Sequence, residues 1–144
     1  KLDENLPKFN FPPSQLEQII MNLLINSSQA IESKEGKERK EGKIIISTGI
    51  IELNEEILKV TRFFEHFNAG KYAFLDVEDN GPGIPANQVG KIFEQLFTTK
   101  SPVRGTGLGL SVVHRIIKSH GGRINVESEL GHGTLFTIIL PENK

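Results

Sequence analysis

The most informative stretches of this 144-residue sequence are Asp79-Asn80-Gly81-Pro82-Gly83 and Gly105-Thr106-Gly107-Leu108-Gly109-Leu110. The first ends a strand-like apolar run with a carboxylate and then turns on glycines. The second is a glycine-rich loop that leads into a helical pattern, so backbone N–H groups and the helix dipole can face an anion. The carboxylate of the first stretch can hydrogen-bond to a base, and the backbone N–H groups of the second can bind a polyphosphate. The sequence therefore predicts a nucleotide-binding protein.

The composition is that of one globular domain, which is large enough to bury a core. The chain has no cysteine, which excludes a disulfide framework and a thiolate metal site. Its formal net charge is -1 and its charges are interspersed, a pattern that does not support a nucleic-acid-binding surface. No apolar run approaches the length of a membrane span. We expect a single domain over residues 1–144, without contact with nucleic acid or membrane, and a fragment of a larger protein because it begins at Lys1 rather than methionine.

Helical periodicity predicts two long helices and one short helix. The first covers Ser14–Ser33, and Ser14 and Glu17 at its start have the spacing of a capping box. The second covers Gly107–His120, and a short helix is predicted over Asn87–Phe93. We expect the two long helices to cover a sheet.

Four segments rich in β-branched and aromatic residues predict a sheet of at least four strands. The predicted strands are Lys43–Leu53, Lys71–Asp79, Arg123–Ser128 and Thr134–Leu140. The stretch Asn54–Gly70 fits either an extended hairpin or a short helix, and Thr98–Gly105 fits an irregular loop. The expected fold class is α+β, a two-layer sandwich of a mixed, mostly antiparallel sheet with helices on one face.

Asp79 is expected on the core side of its strand. Alternation places it on the same face as Ala73, Leu75 and Val77. A carboxylate in that position is costly unless hydrogen-bond donors face it. On the first helix, Asn22 and Asn26 are one turn apart at the edge of the apolar stripe, between core and solvent.

Five segments, in order, resemble the motifs of the GHKL (Bergerat-fold) ATP-binding proteins, and most closely the catalytic ATP-binding domain of two-component sensor histidine kinases. They are similar to its N box, first glycine box, F box, second glycine box and final glycine box, and they read NLLINSSQAI, DVEDNGPGIP, KIFEQLFTTK, GTGLGLSVVHRIIKSHGGRI and GHGTLFTIILP. The resemblance runs from about Ser14 to Pro141. It is specific because all five motifs occur in the family's order.

The resemblance implies a role for each matching residue. Asp79 would accept a hydrogen bond from the adenine amino group, Gly83 would give the base room, and Thr134 would support the same end through water. Asn26 would ligate Mg²⁺ through its side-chain oxygen, with Asn22 assisting at the metal or the phosphates. An amide oxygen suits Mg²⁺, which takes its other ligands from water and phosphate.

The loop that contains Lys100 and Arg104 corresponds to the family's ATP lid. Arg104 is the better candidate for stabilising charge on the γ-phosphate, whereas Lys100 fits a phosphate contact and a solvated charge equally well. The resemblance therefore implies Asn22, Lys100 and Arg104 as catalytic residues. The other nucleotide-binding residues that it implies are Gly81, Ile84, Phe93, Thr99, Gly105, Thr106, Gly107, Leu108, Gly109 and Leu110.

The resemblance implies a protein-histidine kinase catalytic domain that binds ATP and ADP and donates the γ-phosphate to a histidine on a separate dimerisation domain. None of the chain's four histidines has the family's phosphoacceptor pattern. A response regulator would act downstream, and the full-length kinase would be a cytoplasmic or membrane-anchored homodimer whose catalytic domain is cytoplasmic.

Three alternatives stay open: a clamp ATPase of the gyrase, mismatch-repair or chaperone kind, a serine kinase similar to anti-sigma factors, and a non-catalytic ATP-sensing module. The clamp ATPases place a glutamate where this chain has Asn22, and an amide cannot act as a general base. Two residues also depart from the kinase pattern: Gln95 replaces a frequent proline, and Gln29 replaces a frequent basic residue.

Overall fold

A computed structural model describes residues 11–32, 41–60, 67–92 and 109–141 of the chain. Within them, four strands form one sheet in the order β1-β2-β4-β3, and every pairing is antiparallel. The predicted α+β fold class is confirmed. The elements are α1 (Pro13–Glu32), β1 (Ile44–Leu53), α2 (Glu55–Val60), β2 (Gly70–Asp79), α3 (Ala86–Val89), α4 (Gly109–Ser119), β3 (Arg123–Glu129) and β4 (Gly133–Pro141).

Helix α1 begins one residue earlier than predicted, and the expected capping box is wrong. The carbonyl oxygen of Pro12 accepts hydrogen bonds from the backbone N–H groups of Gln15 and Leu16, both at 3.1 Å. Pro13 therefore occupies the first helical position, where its missing N–H costs nothing and its fixed φ fits the helix. Ser14 lies inside the first turn and is exposed, so it cannot serve as the capping residue.

The main core lies between one face of the sheet and the two long helices. Alternate residues of the strands point towards α1 and α4, and Val77 and Phe136 at the centre are fully buried. We call this the helix face of the sheet. Its buried core residues are Ile19, Leu23, Val77, Ile92, Val113, Ile116, Ile117, Ile124, Phe136 and Ile138.

The opposite face, here called the back face, carries a smaller apolar cluster under α2. Leu53, Tyr72 and Ile139 are its buried members. Helix α2 begins after Asn54, whose Oδ1 accepts a 2.8 Å hydrogen bond from the N–H of Ile57. The undecided stretch thus contains a short helix between two strands that pair as a hairpin, although residues 61–66 of it lie outside the described residues.

The short helix α3 has four residues, fewer than predicted. It follows Pro85, whose carbonyl oxygen accepts hydrogen bonds from the N–H groups of Gln88 and Val89. It ends at Gly90, and glycine is a poor helix former. The expectation of a helix as far as Phe93 is wrong at residues 90–92, and Phe93 lies outside the described residues.

Candidate functional site

Asp79 is the last residue of β2, and its side chain is buried on the helix face at 4% exposure. One carboxylate oxygen, Oδ1, accepts a 2.9 Å hydrogen bond from the backbone N–H of Gly81. The other, Oδ2, is buried without a hydrogen-bond partner in the described ranges. Buried polar atoms are nearly always satisfied, so an unpartnered acceptor at the end of a strand suits a donor on a ligand.

Burial raises the pKa of Asp79 above its ordinary value, and the charge of Glu78 acts in the same direction. Three donors oppose the rise in pKa: the Gly81 N–H, the Ser27 hydroxyl and the backbone N–H of Thr134. The surroundings of the carboxylate are thus apolar in bulk but aim several donors at it. These donors offset part of the cost of burying the charge, but burial is the larger effect and the pKa stays raised.

Helix α1 lies directly over the Asp79–Gly81 turn. Ser27 on this helix is fully buried, and its Oγ makes no hydrogen bond to any described residue. One turn further on, the backbone and side chain of Ala30 lie so close to Gly81 that a Cβ there would be 3.3 Å from Ala30 Cβ and 3.0 Å from Asp79 Oδ1. Gly81 therefore permits the close approach of α1 to the carboxylate.

The two predicted asparagines lie along α1 beside this buried end. Asn22 and Asn26 are both half-buried, and the Nδ2 of Asn22 donates a 3.3 Å hydrogen bond to the carbonyl oxygen of Gly109. Gly109 and Leu110 form the start of α4. The fold thus brings the N box residues, the first turn of α4 and Asp79 to one side of the sheet.

Two glycines fit the loop after Asp79 against the turn between β3 and β4. Gly83 has φ +80°, and a Cβ on it would overlap the carbonyl oxygen of Glu129. Gly133 has φ +128°, and a Cβ on it would overlap the carbonyl oxygen of Asp79. The structure thus gives Gly83 a packing role, while the expected room for a base at this residue stays a prediction.

Ser128 is a hydrogen-bonding centre that the sequence analysis missed. Its Oγ accepts a 2.7 Å hydrogen bond from the N–H of Ile84 and donates one of 3.0 Å to the carbonyl oxygen of Gly133. Because that donation uses its single proton, Thr134 is the donor in the 2.9 Å bond between the two hydroxyls. Thr134, itself buried, therefore presents only acceptor lone pairs to a ligand.

Asn80 has a structural role within the first glycine motif. Its Oδ1 accepts a 2.8 Å hydrogen bond from the N–H of Lys43, and its Nδ2 donates one of 2.9 Å to the carbonyl oxygen of Glu41. Its own N–H donates to the carbonyl oxygen of Lys43 at 3.2 Å. Asn80 thus holds the segment before β1 against the end of β2, which fixes where the Asp79 side chain lies.

Several predicted site residues fall outside the described residues. They are Phe93, Thr99, Lys100, Arg104, Gly105, Thr106, Gly107 and Leu108. Within residues 11–32, 41–60, 67–92 and 109–141, no three His, Asp or Glu side chains cluster in a way that could hold a metal ion. No helix in these ranges is long and apolar enough to cross a membrane.

The chain resembles known proteins over nearly its whole length. Residues 12–144 match the model of the histidine kinase-, DNA gyrase B- and HSP90-like ATPases. The chain is 42% identical over 127 residues to the sensor kinase CckA of Brucella abortus (strain 2308), which covers 88% of this chain and 12% of CckA. It is 36% identical over 141 residues to the sensor histidine kinase ZraS of Escherichia coli (strain K12), which covers 98% of this chain and 24% of ZraS.

A solved structure agrees with these similarities. The nucleotide-free catalytic domain of the histidine kinase ThkA superposes with a TM-score of 0.67 at 27% identity, over 98% of this chain and 75% of that chain. The expected resemblance to sensor histidine kinase catalytic domains is confirmed. The chain spans only 12% and 24% of the lengths of CckA and ZraS.

Proposed function

Because the chain belongs to the family of histidine kinase-, DNA gyrase B- and HSP90-like ATPases, we propose that it binds Mg²⁺-ATP and donates the γ-phosphate to a histidine on a separate domain. The observation that carries this proposal is the buried Oδ2 of Asp79, which has no partner in the described part of the chain and lies at the meeting point of α1, β2 and the β3–β4 turn. The relatives of the chain support transfer to histidine, since CckA is a sensor kinase and ZraS is a sensor histidine kinase.

The base would bind at the Asp79 end of the site. Adenine carries an amine at C6, a donor that matches Oδ2, which has no hydrogen-bond partner among the described residues. Thr134 offers further acceptor lone pairs, since its proton is used in the bond to Ser128. Guanine carries a carbonyl oxygen at C6 and has its amine at C2, so in the same orientation it would set an acceptor against an acceptor. This end of the site therefore favours ATP over GTP.

The phosphates would lie towards the start of α4. Gly109 and Leu110 begin that helix, and the predicted cradle of Gly105 to Leu108 precedes them in the sequence. Asn26 would hold Mg²⁺ through its amide oxygen, and Asn22 would support the metal or the phosphates from its place against Gly109. Neutral oxygen ligands fit a magnesium ion that keeps waters and takes phosphate oxygens. The metal would supply charge neutralisation on the phosphates.

Transfer fits the site better than hydrolysis does. Asn22 occupies the position where the clamp ATPases carry a general base, and its Nδ2 is engaged with Gly109. The residues of this chain would instead position ATP and stabilise charge, with Arg104 at the γ-phosphate. A clamp ATPase and a serine kinase are the remaining alternatives. The proposed partners are a histidine-bearing dimerisation domain of the same protein, within a homodimer whose catalytic domain is cytoplasmic, and a downstream response regulator.

Radiolabelled ATP tests transfer against hydrolysis. The chain alone should hydrolyse ATP very slowly and should not label itself. Addition of the histidine-bearing domain should give label on histidine, in a bond that is acid-labile and base-stable. Arg104→Ala should slow this transfer more than it weakens ATP binding, because the arginine acts mainly on charge in the transition state. Rapid turnover by the chain alone, or label on one of its own residues, would contradict the proposal.

A further inference from the structure

Two buried polar atoms on neighbouring elements have no hydrogen-bond partner in the part of the chain that the structure describes. They are Ser27 Oγ on α1 and Asp79 Oδ2 at the end of β2. A serine within a helix commonly donates to the carbonyl oxygen four residues earlier, which here belongs to Leu23. Ser27 does not make that bond, so its proton is not used by the helix. The hydroxyl is near enough to the carboxylate to lower the pKa of Asp79.

The three side-chain groups at this end of the site have complementary hydrogen-bonding roles. Asp79, when ionised, only accepts, and Thr134 has committed its proton to Ser128. Ser27 is fully buried and carries a proton that it can donate. The donor of this set of side chains therefore comes from α1.

We propose that Ser27 is a specificity-determining residue, whose hydroxyl donates to Asp79 Oδ2 and holds this carboxylate as an acceptor for a purine with an amine at C6, as in adenine. This inference rests on the proposed binding of ATP. An oxygen of an ionised carboxylate has two lone pairs, so Oδ2 can accept from Ser27 and from the base at once.

Loss of the hydroxyl would change which base the site accepts. Without it, the pKa of this buried carboxylate, which the charge of Glu78 also raises, would rise further, so a larger share of the site would be neutral. A neutral carboxyl group carries a proton that it can donate to the carbonyl oxygen of guanine. Ser27 would therefore mainly set the preference for ATP over GTP. It would have a smaller effect on the overall affinity for nucleotides.

Calorimetric titration with ATP and with GTP tests the proposal on the unmodified chain and four variants. Ser27→Ala should lower the ratio of ATP to GTP affinity roughly tenfold, as expected for loss of one hydrogen bond to a charged group. Ser27→Cys is nearly the same size but donates weakly, so its ratio should lie between those of the chain and Ser27→Ala. Ser28→Ala, at the neighbouring exposed residue, should leave the ratio unchanged. Asp79→Asn serves as the reference for loss of base recognition.

The possible outcomes separate this inference from the proposed function. An unchanged ratio in Ser27→Ala, with strong loss of ATP in Asp79→Asn, would overturn the inference alone. Failure of the unmodified chain to prefer ATP would overturn the proposed function and the inference with it. If circular dichroism shows that Ser27→Ala is unfolded, the ratio of Ser27→Cys decides, and a ratio equal to that of the unmodified chain would contradict the proposal.

Discussion

Asp76 and Asp79 lie three residues apart on β2 and point to opposite faces of the sheet. Each has one buried carboxylate oxygen without a hydrogen-bond partner among the described residues. Asp76 is half-buried on the back face, where it pairs across the sheet with Ser47 and Thr137. Asp79 is buried beneath α1 and receives the Gly81 N–H. An unpartnered carboxylate oxygen thus does not define a site by itself.

The difference between the two aspartates lies in what converges on them. A helix and two turns meet at Asp79, and each approaches closely because a glycine or a small residue permits it. At Asp76 the neighbours are the side chains of adjacent strands. The site is therefore made by backbone segments that approach the carboxylate closely. Substitutions on the helix face should then affect the site, whereas matched substitutions on the back face should not.

The largest effect is expected from Gly133→Ala. Its φ of +128° is unfavourable for alanine, and the new Cβ would overlap the backbone of Asp79, which cannot move aside. We expect the free energy of unfolding to fall by about 3 kcal/mol or more. In Gly49→Ala on the back face, the Cβ would meet the end of the Phe74 ring, which can shift, so the loss should be about 1 kcal/mol. Urea unfolding measures both, and equal losses would contradict this view of the turn.

A smaller effect is expected from Asn26→Ala, on the helix face. If Asn26 is the metal ligand, Mg²⁺ should increase the affinity for ATP roughly tenfold less in the variant than in the unmodified chain, a difference of about 1.4 kcal/mol. Metal-free ATP should bind with less change. Asn125→Ala, at a half-buried asparagine on the back face, is the matched control and should behave as the unmodified chain does. The assignment of Asn26 fails if chelation of Mg²⁺ affects the variant and the unmodified chain equally.

The smallest effect concerns pH and again involves Asp79 alone. Its pKa is raised in the folded chain, so the folded state binds the proton more tightly than the unfolded state does. The contribution of Asp79 to the free energy of unfolding is therefore fully present below its pKa in the unfolded chain. It is lost as pH rises through its pKa in the folded chain, by at most about 1.4 kcal/mol per pH unit. Asp79→Asn should remove this contribution. The measurement is the difference in unfolding free energy between the chain and Asp79→Asn from about pH 4 upwards, and a difference that does not vary with pH would contradict the shift.

Much of the fold could be predicted from the sequence because its patterns are regular. The alternation in β2 correctly placed Asp79 on the same face as Val77, and helical periodicity placed α1 over the sheet. The start of α1 was mispredicted because Ser14 and Glu17 have capping-box spacing, while Pro13 takes the first helical position. The choice between hairpin and helix in 54–70 could not be made, since the helix cap at Asn54 is a single local hydrogen bond.

The parts of the site that come from tertiary contact were not predictable in the same way. Ser27 directly follows Asn26 in the sequence, and only the fold shows that it is buried and close to Asp79. A serine directly after an asparagine motif was the available signal in the sequence. Ser128 gave no signal, because a serine near the end of an edge strand is common. The overlap that restricts Gly133 depends on β2 and could be seen only once β4 was paired with it.

The most direct test of the central claim is calorimetric titration of the unmodified chain, Asp79→Asn and Asp76→Asn with ATP and GTP. The unmodified chain should bind ATP more tightly than GTP. Asp79→Asn should lose about 1–3 kcal/mol of ATP binding, or roughly ten- to a hundredfold, because the amide can set a donor against the adenine amine. Asp76→Asn should stay within about twofold of the unmodified chain, since it changes the other face. Equal affinity for ATP and GTP, or equal losses in the two variants, would contradict the account.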